Sequence, residues 1–71
     1  MTIYDLRAIL TIIEKYNKQP QSISPIAGAE HDIIYFELTL TQCPKDSVDG
    51  ERLQELGCVI DTRIGSWVHW V

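Results

Sequence analysis

The sequence predicts one α+β domain covering residues 1–71, with the order helix, long loop, strand, helix, strand, strand. The expected architecture is one three-stranded sheet with both helices on one face. Three observations carry this. Apolar residues recur at helical spacing through the first segment. They alternate with other residues from Ile33 to Thr41. The last segment holds two strand-like runs around Gly65.

The first helix is expected from Thr2 to about Lys18. Ile3, Leu6, Leu10 and Ile13 form one stripe, with Ile9, Ile12 and Tyr16 on the adjoining one. Thr2 and Asp5 fit a capping box, in which each side chain satisfies an orphan amide of the other residue. Lys15 and Lys18 suit the negative end of the macrodipole, and Pro20 stops the helix. So wide a stripe implies a substantially buried helix that packs on a sheet or adds a dimer contact.

Gln19 to Asp32 is broken by Pro20, Pro25 and Gly28 and reads as a loop, with Ile23 and Ile26 tucked onto the core. A loop this long is uncommon in a small domain, so it either has a function or hides a short strand. From Ile33 to Thr41, Ile34, Phe36, Leu38 and Leu40 are expected inward. Tyr35, Glu37 and Thr39 lie on the other face. Pro44 ends this strand. Ser47 caps a short helix over Val48–Leu56 with Leu53 and Leu56 inward, and Gly57 takes the left-handed cap.

The closing hairpin is expected to run Cys58–Thr62, turn at Arg63-Ile64-Gly65, and return through Ser66–Val71. A strand–helix–strand crossover favours parallel strands, and the last strand fits between them, antiparallel to both.

Charge and thiols narrow the function. Ten acidic residues against six basic ones give a net charge of −4. Gripping nucleic acid needs a basic stripe, so no direct nucleic-acid binding is expected. The first apolar segment is interrupted by Asp5, Arg7 and Glu14, which excludes a membrane span. The N-terminus lacks the basic region and cleavage site of a signal peptide. A cytoplasmic protein with Cys43 and Cys58 reduced is expected, the alternative being a Cys43–Cys58 disulfide.

No motif for catalysis, metal or cofactor emerges. Cys43, Cys58, His31 and His69 lack the chelating pairs of structural zinc sites. Cys58 and His69 can face each other across the hairpin, but the expected parity points Cys58 inward and His69 outward. Cys43, before Pro44 at a strand end, has no local base. Glu30-His31-Asp32 sit on extended chain, where neighbouring side chains diverge. The four glycines are isolated, so no phosphate loop exists.

One feature does point to function. If Ile34, Phe36, Ile60, Val68 and Trp70 face the helices, then Tyr35, Val59, Trp67, His69 and Ile33 line the opposite sheet face, framed by Glu37 and Asp61. Aromatics within a carboxylate rim suit a protein-binding surface. The competing arrangement has the long loop folding over this face as a second small core.

The run Leu56-Gly57-Cys58-Val59-Ile60-Asp61, followed by Gly65-Ser66-Trp67-Val68-His69-Trp70-Val71, resembles the close of small phage- and prophage-encoded proteins. In those, a Leu-Gly pair precedes an acidic hairpin ending in Ser-Trp and then aromatic-Val. The resemblance covers about the last quarter of the chain and carries over no catalytic residue. It implies a small accessory protein that binds and modulates a host machine. The expectation is thus a non-enzymatic binding protein with an unidentified protein partner, using Tyr35, Val59, Trp67, His69, Glu37 and Asp61. The alternatives are a structural homo-oligomer such as a homodimer, and a small enzyme using Cys43 or the Glu30-His31-Asp32 loop.

Overall fold

The chain orders as α1 (Ile3–Tyr16), β1 (Ile26–Glu30), β2 (Ile33–Thr39), α2 (Val48–Glu55), β3 (Cys58–Asp61) and β4 (Ser66–Trp70) in a computed structural model. The structure describes residues 1–17 and 24–70; Lys18, Pro20, Ile23 and Val71 lie outside the described residues. The sheet has four strands in the order β1-β2-β4-β3, each antiparallel to its neighbours.

The capping box at Thr2 and Asp5 is present, with both reciprocal bonds at 3.1 Å. These bonds hold the Asp5 carboxyl below its usual range, the backbone amide of Thr2 contributing most. The buried face of α1 is the stripe Ile9, Ile12 and Ile13. Leu6 and Leu10 are only half-buried, and the first turn stands clear of the core, leaving Ile3 and Tyr4 largely exposed. The helix is therefore half-covered rather than substantially buried.

The expected three strands become four because the long loop contains β1. Its sequence, Ile-Ala-Gly-Ala-Glu, has one large apolar residue and no buried position, so it carries almost no periodic signal. It forms by pairing. A tight turn at His31 and Asp32, with His31 at φ 53°, sets Glu30 opposite Ile33 and Gly28 opposite Tyr35. Residues 24–30 thus extend the sheet edge instead of folding over its face. On β2, Phe36 and Leu38 are buried as expected, while Leu40 lies beyond the strand and is exposed.

In α2 the Ser47 hydroxyl caps the Gly50 amide at 3.0 Å. Gly50 lies so close to Pro44 that a Cβ there would stand 2.0 Å from the Pro44 carbonyl oxygen. Gly57 ends the helix at φ 92°, where a Cβ would stand 2.9 Å from His69 Nε2.

The core joins Ile9, Ile12 and Ile13 of α1 and Leu53 and Leu56 of the α2 region to one sheet face carrying Phe36, Leu38, Cys58 and Trp67. Both helices therefore cover that face, and β4 lies between β2 and β3 as expected.

The orientation of β4 is the main correction. Trp67 and His69 were expected outward, and Val68 and Trp70 inward. Instead Trp67 is fully buried against the helices, His69 is buried beside it, and Trp70 is 60% exposed. The cause is one residue of turn length. With Thr62 in the strand, Thr62 would pair with Ser66, Ile60 with Val68 and Cys58 with Trp70. In the structure β3 ends at Asp61, so Asp61 pairs with Ser66, Ile60 with Trp67 and Cys58 with His69. A one-residue slip sends every side chain of a strand to the other face.

Asp61 sets that longer turn. Its carboxylate accepts from the Arg63 backbone amide at 3.0 Å, and its carbonyl accepts from the Gly65 amide at 2.8 Å. An aspartate bonding the amide two residues ahead is an Asx-turn, which ends a strand where it stands.

Candidate functional site

The helix-free face is built from two rows that cross the sheet. Gly28, Tyr35, Val68 and Val59 are successive Cα partners over all four strands. Glu30, Ile33 and Trp70 form the second row. Partners in register project to one face, so the aromatic, branched and acidic residues of this surface converge through pairing alone.

Exposure across the face is uneven. Val68 sits in its middle and is 2% exposed, so its neighbours already cover it. Val59 and Trp70 stand open at 46% and 60%. Between them lies an open depression of about 280 Å³ lined by Ile33, Val59, Asp61, Arg63, Val68 and Trp70, among others. Arg63 closes one side. Its Nε and Nη2 donate to the Asp61 carboxylate at 3.1 and 2.8 Å. This fork holds the Asp61 carboxyl below its usual range and raises the guanidinium above its own.

Of the six residues expected to bind, Tyr35, Val59, Glu37 and Asp61 belong to strand positions of this face, and Trp67 and His69 do not. Trp70 and Val68 replace them. The signal that places them was in the sequence: Asp61 two residues before Arg63 marks the strand end, and with it the parity of Trp67 and Trp70.

The same register brings Cys58 and His69 directly opposite each other on the helix side. Their surroundings decide the chemistry. Cys58 is 1% exposed, and burial pushes its thiol up to about 12. A nucleophilic cysteine needs the opposite shift. His69 Nε2 lies 3.2 Å from the Leu56 carbonyl, a bond that requires the proton on Nε2. Nδ1 is buried and, among the described residues, has no hydrogen-bond partner.

Cys43 is fully buried, with its sulfur 3.7 Å from the Ser47 hydroxyl. Both cysteines are free thiols. Glu30, His31 and Asp32 are all exposed around the β1–β2 turn. Among the described residues no group of three or more His, Cys, Asp or Glu is placed to hold a metal ion. Among the same residues no helix is long and apolar enough to cross a membrane.

A second polar cluster joins the helices. Tyr16 donates its hydroxyl to Asp49 at 2.6 Å, and Lys15 Nζ meets the other carboxylate oxygen at 2.9 Å. The Tyr16 hydroxyl bond lowers the Asp49 carboxyl below its ordinary range, with Lys15 assisting. The same bond raises the Tyr16 phenol well above its own range. This cluster ties the end of α1 to the start of α2.

Comparison with known proteins adds no relative: no family model, curated protein or solved structure matches the chain.

Proposed function

We propose that the chain is a non-enzymatic cytoplasmic binding protein that docks a protein partner on its helix-free sheet face, with Trp70 as the anchor. The observation that carries this is a tryptophan exposed to 60% beside Ile33 and the open Val59, within a rim of Glu30, Asp61 and Arg63. Tryptophan and arginine are over-represented among the residues that dominate binding energy. Burying this apolar strip against a partner recovers about 25 cal/mol for each Å² removed from water. The resemblance of the closing hairpin to small phage-encoded proteins supports an accessory or inhibitory role.

The experiment is a footprint. A partner captured from lysate is returned to the purified protein, and side-chain labelling is read residue by residue. Protection centred on Trp70, Val59 and Ile33 supports the reading. Unchanged labelling at Trp70 with protection elsewhere rejects it.

A further inference from the structure

We propose that the groove between α1 and the start of α2 is a second docking surface, and that its occupant is an acidic, amphipathic protein segment. The groove encloses about 580 Å³. Its apolar lining comes from Ile12 and Val48, with Tyr4 at one side. Val48 and Tyr4 are 85% and 79% exposed, unusually open for large apolar side chains.

Charge identifies the occupant. The chain has six cations in all and a net charge of −4. Three of the six, Arg7, Lys15 and Arg52, line this one groove, against the single carboxylate of Asp49. Lys15 is held by Asp49, and Arg52 reaches Glu55 at 3.2 Å from a largely exposed position. Arg7 makes no ion pair among the described residues and lies over the ring of Tyr4, a fellow lining residue, at 5.8 Å. A locally cationic slot with apolar lining in an otherwise acidic protein complements carboxylates set along an apolar stripe. Nucleic acid is the poorer match, because the rest of the chain repels a long polyanion.

The test uses a short helical peptide of leucine and glutamate, and its lysine-for-glutamate counterpart, titrated into the isotope-labelled full chain at low salt. The expected result is chemical-shift change confined to residues lining the groove, including Thr11 and Val48. Affinity should fall at least about fivefold in Arg7→Glu and in Arg52→Glu, and should weaken with salt. Trp70→Ala should leave this binding unchanged, which separates the groove from the sheet face. Equal binding of the lysine peptide overturns the proposal, as do shifts mapping elsewhere or no saturable shift. A single-stranded oligonucleotide that binds the groove more tightly than the acidic peptide also overturns it, in favour of phosphate recognition.

Discussion

The indole of Trp67 donates its Nε1–H to the Cys43 carbonyl at 2.9 Å, deep in the interior. This bond ties β4 to the segment between β2 and α2, and it satisfies the one polar atom of a fully buried side chain.

Trp67→Ala should therefore cost about 3–5 kcal/mol, a large share of a total stability of about 5–15 kcal/mol. Trp67→Phe keeps most of the apolar volume but strands the carbonyl, at about 1–3 kcal/mol. Trp70→Ala should change stability by less than about 1 kcal/mol, because that side chain is mostly in water. Urea denaturation of the three variants checks the order; a Trp70→Ala loss matching that of Trp67→Ala would place both indoles in the core.

Asp61 should matter more for its backbone bond than for its ion pair. Asp61→Ala removes the Asx-turn and should cost about 1–2 kcal/mol. Arg63→Ala removes only an exposed partner, 78% open, and should cost less than about 1 kcal/mol. Equal losses in thermal melts would mean that the ion pair, not the turn, holds the register.

Alkaline pH should loosen the fold. Cys58 and Tyr16 both have folded values raised above their ordinary ones, so the folded state holds their protons more tightly. Their contribution is complete below the unfolded values, near 9.0 for the thiol and 10.0 for the phenol. It is lost as pH rises past these toward the folded values. Asp49 runs the other way: its folded value is lowered, so its contribution is present above 3.8 and is lost as pH falls below that. Chemical denaturation from pH 8 to 11 should show falling stability, and Cys58→Ala should flatten the slope between 9 and 11. An unchanged slope in Cys58→Ala would show the thiol to be accessible to solvent in the fold.

Much of this was legible from residue pattern. The capping box at Thr2, the alternation through Phe36 and Leu38, and the Ser47 cap each have a local cause written in consecutive residues. β1 was not, because Ala27, Gly28 and Ala29 present nothing to alternate, and the strand exists by pairing with β2. The site was half legible. Tyr35, Val59, Glu37 and Asp61 follow from strand parity, whereas the exchange of Trp67 for Trp70 hinges on whether Thr62 belongs to the strand or the turn. Single-residue hairpin length is weakly encoded, and here it rests on the turn bonds that Arg63 and Gly65 donate to Asp61.

The helix-free face is tested most directly by the affinity of the captured partner for wild type and for Trp70→Ala, measured by calorimetry on proteins of matched melting temperature. Truncating an anchoring tryptophan costs at least about 2 kcal/mol, so the variant should bind about thirtyfold more weakly or worse. Equal affinity for the two proteins would contradict Trp70 as the anchor and remove the helix-free face as the interface.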